Sequence, residues 1–239
     1  MVTSVRRRQL YNKNMEIYHV LNRGVDKRKI FLDKEDYLRF IHDLYEFNDE
    51  NPAERVYYYF NKHKNGDVGR HHIEKKKRKR IVDLLAFCLM SNHYHLLIIS
   101  KKLEYLTLFM KKLNGGYAKY FNEKYQRTGT LFERRFKRVL IKKEEHFIHI
   151  PYYIHCNPLD LEYSEWRNRK LKNLQEAIKF LEKYRWSSHL DYLGIKNFPS
   201  VTQREFLLDV FKGEKGYKES IENWLKSFDL EEIKQWILE

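Results

Sequence analysis

The spacing of hydrophobic and polar positions changes several times along the chain. From Glu16 to Leu21 apolar and polar residues alternate and β-formers dominate, which predicts a strand closed by Asn22-Arg23-Gly24. Over residues 34–48 the period lengthens. Tyr37, Phe40, Ile41 and Leu44 recur at i, i+3, i+4 and i+7, the stripe of an amphipathic helix that Asp33 is placed to cap. Residues 81–90 form an apolar run ending at Met90, Ser91-Asn92 suits a tight turn, and His93 to Ile99 reads as the returning strand of a hairpin.

Helical spacing resumes over 103–125, with Tyr105, Phe109, Leu113, Tyr117, Tyr120 and Phe121 on one stripe. Gly115-Gly116 weakens that helix by about 1 kcal/mol per glycine relative to alanine. A loop at 127–129 leads to a predicted basic strand over 130–141. A helix over about 144–157 follows, and Pro151 inside it predicts a kink or a late start. Residues 160–239 are helix-rich and hold Trp166, Trp186, Trp224 and Trp236. This mixture predicts an α+β fold, an antiparallel sheet with packed helices. The expected organisation is one domain over 1–160, interrupted by a basic insert at about 49–80, and a helical C-terminal extension over 161–239.

Charge narrows the partner. Lys and Arg number 47 against 33 acidic residues, a formal net charge of +14 over 239 residues, which points to a polyanion. No stretch reaches the roughly 20 apolar residues of a transmembrane helix, and neither end carries a basic amphipathic anchor, so nucleic acid is favoured over membrane. The insert contains an unbroken positive run from Lys75 to Arg80, read either as a solvated loop or as a phosphate contact. Tyr57 to Tyr59 suit strand packing better than base stacking. Arg6 to Arg8 are not followed by an apolar run, so they form a tail or an arm rather than a secretory signal. Cys88 and Cys156 form no CxxC spacing and no disulfide framework, which fits a reducing cytoplasm.

The candidate chemistry starts with His93-Tyr94-His95. Residues two apart on a strand share a face, so both imidazoles point one way and Tyr94 the other. Such a pair is either a metal site lacking a third ligand or a hydrogen-bonded buried pair. Tyr153 and Asn157, four apart on the predicted helix, also share a face, and His149 stands one turn earlier. An amide oxygen suits Mg²⁺ or Mn²⁺. A tyrosine nearby can act as a nucleophile if its hydroxyl, with an ordinary pKa near ~10, is helped to ionise. Spacing alone does not single out Tyr153 among 18 tyrosines.

Five segments in order resemble the Y1 transposases of the IS200-like superfamily of HUH endonucleases, and most closely the REP-associated tyrosine transposases. Tyr18-His19-Val20-Leu21-Asn22-Arg23-Gly24 is similar to the opening strand. Phe87 to Ile98, centred on His93-Tyr94-His95, resembles the metal-binding hairpin. Gly129 to Lys137 resembles the basic segment after the long helix. Tyr153-Ile154-His155-Cys156-Asn157-Pro158 resembles the nucleophile helix, and Trp186-Ser187-Ser188 a later landmark. The resemblance runs over roughly residues 16–192. Ser91 stands where relatives commonly have proline, and Pro151 where they have ordinary helix formers.

The resemblance implies His93, His95 and Asn157 as ligands of Mg²⁺ or Mn²⁺ and Tyr153 as the nucleophile. It implies cleavage and rejoining of single-stranded DNA through a 5′-phosphotyrosine, DNA hairpins near the cleavage site, and homodimers as a common state. Arg23, Arg134, Arg135, Lys137 and Arg138, with Lys75, Lys76, Lys77 and Arg78 of the insert, are the candidate DNA contacts. The rival readings are a non-catalytic nucleic-acid-binding protein, a replication or conjugation nicking enzyme, and a metal hydrolase with no covalent step. Tyr152-Tyr153 mimics the paired tyrosines of nicking enzymes, but neighbours on a helix face about 100° apart. A 2H phosphoesterase needs two His-x-Ser/Thr motifs, which the chain lacks.

Overall fold

The computed structural model describes residues 15–51, 78–142, 147–168, 170–227 and 229–237. Its centre is a four-stranded antiparallel sheet of β1 (Glu16–Arg23), β2 (Asp83–Met90), β3 (His93–Ser100) and β4 (Lys137–Leu140), in the spatial order β2-β3-β1-β4. The fold is α+β, as the pattern of the chain predicts. Helices cover both faces of the sheet, so even-numbered and odd-numbered positions of β3 are buried alike.

Tyr94, Leu96 and Ile98 of β3 enter one apolar layer with helices α1 (Lys34–Glu46) and α2 (Leu103–Lys124), through Phe40, Leu44, Phe109, Leu113 and Tyr117. Leu97 and Ile99 enter the other layer, with α3 (Ile150–Cys156), α4 (Leu174–Lys183), α6 (Glu205–Phe211) and α7 (Gly213–Ser227), while the one-turn α5 (His189–Tyr192) lies between α4 and α6. Each fully buried leucine or phenylalanine in these layers contributes roughly 1.5–3 kcal/mol of transfer free energy.

Several boundaries differ from the sequence pattern for local reasons. β1 continues through Asn22 and Arg23, because both still pair across to Tyr94 and His93. The chain turns only at Gly24, where a Cβ would lie 2.3 Å from the Arg28 carbonyl. Asp33 does cap α1, in a reciprocal capping box with Asp36. The core stripe of α2 is Leu106, Phe109, Met110, Leu113, Tyr117 and Phe121. Tyr105 and Tyr120 sit at its margin, half-buried.

The basic strand predicted over 130–141 shrinks to Lys137–Leu140. Phe132 makes only an isolated bridge to Gly24, and the carbonyls of Arg134 and Arg135 accept from the Asn22 amide at 3.1 and 2.9 Å rather than from a ladder. Of the helix predicted over 144–157, residues 144–146 lie outside the described residues, Phe147 is helical, a turn follows at 148–149, and α3 runs from Ile150 with Pro151 in its first turn, where a missing N–H costs no intrahelical bond. A 3-10 turn over Asn157–Leu161 extends it.

The outer edge of β2 is not left open. Leu89 N–H donates to the Trp186 carbonyl at 2.9 Å and Ser188 N–H to the Phe87 carbonyl at 3.0 Å, so residues 186–188 pair with the edge. Trp186 then stacks on Tyr37 of α1 at 4.5 Å, on the face opposite the C-terminal helices. Tyr57 to Phe60 and Arg6 to Arg8 lie outside the described residues. Among the described residues no helix is long and apolar enough to cross a membrane.

Candidate active site

Antiparallel pairing fixes which side chains share a face. Across the sheet, Cys88, His95, Leu21 and Lys137 form one row, and Met90, His93 and Arg23 the next. Residues directly opposite on paired strands point the same way. Arg23 and Lys137 therefore lie on the histidine face. Arg138 is in register with Val20 and Leu96 and lies on the other face, away from the pair. His19, registered with Leu97 one row further, completes a group of three imidazoles.

The rings are close. His93 and His95 lie edge to face at 5.0 Å, and His19 stacks on His95 at 5.2 Å. The ring of Tyr153 meets His19 at 5.9 Å and His95 at 5.8 Å, both edge-on. Helix α3 brings it there because Tyr152 points elsewhere, against Phe211 at 5.0 Å and Trp224 at 5.9 Å. Asn157 stands at the end of α3 and folds back, its Nδ2 donating to the Tyr153 carbonyl at 2.8 Å, which leaves Oδ1 as an acceptor. His149 contributes its backbone carbonyl, which receives the Tyr153 N–H at 3.0 Å.

Burial controls the protonation of this group. Desolvation lowers His93 to about 4, aided by the nearby Arg23 charge. Burial lowers His19 to about 4. It takes His95 well below the ordinary imidazole range, with its histidine and arginine neighbours adding to the effect. All three are neutral near pH 7, the form in which imidazole binds a metal.

The acceptors around them set the tautomers. Asn92 Oδ1 lies 2.7 Å from His93 Nδ1, and as an acceptor it requires a proton there. His93 Nε2 is then a bare lone pair, buried and with no hydrogen-bond partner, and His95 Nε2 is equally buried and unpartnered. Two such atoms side by side are costly unless a ligand fills them. Among the described residues no group of three or more His, Cys, Asp or Glu is arranged around a metal. Two imidazoles with the Asn157 amide oxygen would make a mixed donor set, and donors of these kinds fit a divalent cation.

A second layer was not legible in the sequence. Arg167 pairs with Asp160 through its Nε at 2.8 Å, reaches toward Asn157 Oδ1 at 3.5 Å, and lies 5.6 Å over the Tyr153 ring. Trp166 donates to Asp160 at 2.7 Å and packs on Tyr153 at 6.3 Å. These contacts cross a turn with no periodic signal. His19 carries no signal of its own in the sequence, and its partnership with His95 depends on strand register, which no local pattern announces.

The other basic candidates divide. Arg134 and Arg135 are exposed at the bend before β4. Arg78 is directed to the end of α1, bonding the carbonyls of Tyr45 and Asn48 and lying 3.8 Å over the Tyr45 ring. Lys75, Lys76 and Lys77 lie outside the described residues.

Residues 53–157 match the family model for IS200-like transposases. Over that segment the chain is similar to the IS200-like transposases. The match supports an enzyme of the Y1 type, one that nicks and joins DNA. The matched segment holds His93, His95, Tyr153 and Asn157 and ends at Asn157, so His19, Asp160 and Arg167 lie beyond it. A solved structure of a REP-associated tyrosine transposase bound to a REP hairpin is similar at 11% identity and a TM-score of 0.42, covering 79% of this chain and 84% of that chain. At that distance no residue role transfers from one to the other. A search of curated proteins finds no match to this chain.

Proposed function

We propose that this chain is a transposase that cleaves and rejoins single-stranded DNA by transesterification, with Tyr153 as nucleophile and a divalent cation held by His93, His95 and Asn157. The observation that carries the reading is the pair of buried, unpartnered Nε2 atoms beside the Tyr153 ring. When bound, Mg²⁺ or Mn²⁺ would polarise a phosphodiester oxygen and offset charge on the phosphorus. The Tyr153 phenolic oxygen forms a bond to phosphorus as the bond from phosphorus to the 3′ oxygen breaks. The product is a 5′-phosphotyrosine and a free 3′-hydroxyl, and the proton lost by the phenol is balanced by the one the 3′ oxygen gains. Attack by a second 3′-hydroxyl reverses the step and joins strands with no nucleotide cofactor.

Arg167 lies over the Tyr153 ring, where its charge offsets the negative charge that gathers there during attack. Arg23 borders the histidine pair and Lys137 shares its face, so both suit phosphate contact. Arg134 and Arg135 add exposed charge nearby along the chain. Hairpin-forming DNA as the substrate, a homodimer as the working assembly and a cytoplasmic setting belong to the same proposal. So does the division into a catalytic domain over 1–160 and an extension over 161–239. Tyr153 is fully buried, so strand entry requires the covering residues, Trp166 and Arg167 among them, to move. Full burial also suits a non-catalytic DNA-binding chain, the one competing reading that an observation favours.

Cleavage of end-labelled, hairpin-containing oligonucleotides separates the two readings. We expect cleavage with Mn²⁺ or Mg²⁺ that chelator abolishes, and a loss of at least about 100-fold in His95→Ala and Asn157→Ala. Tight binding with no cleavage under any cation would leave the DNA-binding reading standing.

A further inference from the structure

The histidine that sequence reasoning did not single out has a chain of contacts that the proposed reaction leaves unexplained. His19 Nδ1 lies 2.7 Å from the backbone carbonyl of Trp236, 217 residues away in sequence, and His19 Nε2 lies 3.0 Å from His95 Nδ1. Trp236 ends a 3-10 turn over Leu230–Trp236, anchored by the fully buried Ile233. The C-terminal turn therefore reaches the sheet at the candidate site itself.

A carbonyl oxygen only accepts, so the His19 proton must sit on Nδ1. A neutral imidazole carries one N–H, which leaves His19 Nε2 as a bare acceptor. His95 Nδ1, facing that acceptor, must then be the donor. The only nitrogen of His95 left without a proton is Nε2, the same buried atom that has no hydrogen-bond partner. Two hydrogen bonds in series thus turn one lone pair toward the place where a cation is needed. With the reverse tautomer, His95 would present an N–H there and could not ligate.

Resting on the metal-binding reading above, we propose that His19 is a positioning residue for the metal ligand His95. The Trp236 carbonyl fixes the tautomer of His19, and through it that of His95. The C-terminal turn would then be part of the metal site's supporting shell. Partners of this kind fix ring orientation and ligand basicity, and their loss typically costs 10–100-fold in metal affinity.

Two measurements test this on the full chain. The first is Mn²⁺ binding by electron paramagnetic resonance, with the metal alone, for wild type, His19→Gln and His19→Leu. The glutamine variant keeps an acceptor for His95 Nδ1–H, and the leucine variant does not. We expect His19→Leu to weaken Mn²⁺ about 10–100-fold and His19→Gln to stay within a few-fold of wild type. Wild-type affinity in a folded His19→Leu would overturn the proposal. The second uses ¹⁵N chemical shifts of the metal-free wild type, which report tautomers with no mutation and decide the matter even if His19→Leu does not fold. Nδ1–H on both His19 and His95 is expected, and Nε2–H on His95 would overturn the proposal. No Mn²⁺ binding by wild type would overturn the metal reading and this inference together. Wild-type binding that His19→Leu leaves unchanged would overturn this inference alone.

Discussion

Replacing Tyr217 by phenylalanine removes one oxygen atom from the layer behind the nucleophile helix. That hydroxyl lies 2.7 Å from His155 Nδ1 and 2.7 Å from His189 Nδ1, and all three residues are buried. It can donate to one imidazole and accept from the other, so both rings are satisfied by the same atom. The chain continues from His155 Nε2 to Ser188 Oγ at 2.7 Å, and Ser188 Oγ accepts the Phe87 N–H at 3.0 Å. Helix α3, helix α7 and the edge of β2 are thereby tied through one polar cluster. Phenylalanine fills the same space and leaves no cavity, but it strands two buried ring nitrogens. Each unsatisfied group costs about 1–3 kcal/mol, and the pair is not fully additive, so we expect a loss of about 3 kcal/mol. For a chain of this size that is a fall in Tm of roughly 6–12 °C. Urea unfolding of wild type and Tyr217→Phe reads the difference, with Tyr105→Phe, half-buried at the margin of α2, as a control expected to stay within about 0.5 kcal/mol. A loss below about 0.5 kcal/mol for Tyr217→Phe would refute the bridging role given to this hydroxyl.

Three further outcomes follow from other parts of the molecule. A Cβ at Gly115 meets nothing within 4 Å, whereas one at Gly116 would lie 2.3 Å from the Phe47 ring. Gly115→Ala should therefore stabilise by about 0.5–1 kcal/mol and Gly116→Ala should not, and equal gains in thermal melts would contradict this packing of α2 on Phe47. Burial lowers His189 to about 3 and holds His155 well below the imidazole range. The unfolded chain takes up those protons first, so stability is full above about pH 6.5 and falls toward the folded values, by up to about 1.4 kcal/mol per pH unit for each histidine. A melting temperature that stays flat from pH 7.5 to 5 would count against neutral buried imidazoles. DNA affinity should fall steeply between about 50 and 200 mM salt, measured by fluorescence anisotropy, and a flat response would exclude the basic face as the binding surface.

How far the sequence could be read depended on whether a feature is local. The hairpin holding His93 and His95 announces itself by alternation and a polar turn, and α1 by its stripe and its Asp33 cap. Pro151 marks the first turn of α3, just after the turn at 148–149, because proline acts through its own missing N–H. β4 was overdrawn because residues 133–136 look like a strand yet are held in a bend by side-chain amides from Asn22 and Asn114, which lie far away in sequence. The same limit applies at the site. His-x-His, Tyr153 and Asn157 are close in sequence or match a known family. His19 reaches His95 only through strand register, and Arg167 reaches Tyr153 only through a 3-10 turn. The Trp236 carbonyl, a backbone group, has no signature at all. Arg138 shows the opposite error, since its place next to Lys137 looked favourable until register put it on the far face.

The central claim is that Tyr153, and not its neighbour Tyr152, becomes covalently attached to DNA. Its most direct test is to trap the adduct with Mn²⁺ and a hairpin oligonucleotide, digest the protein, and locate the nucleotide by mass spectrometry. The account predicts a phosphonucleotide on Tyr153 alone, absent from Tyr153→Phe and retained in Tyr152→Phe. A nucleotide on Tyr152, or cleavage that leaves no protein-bound nucleotide, would contradict it.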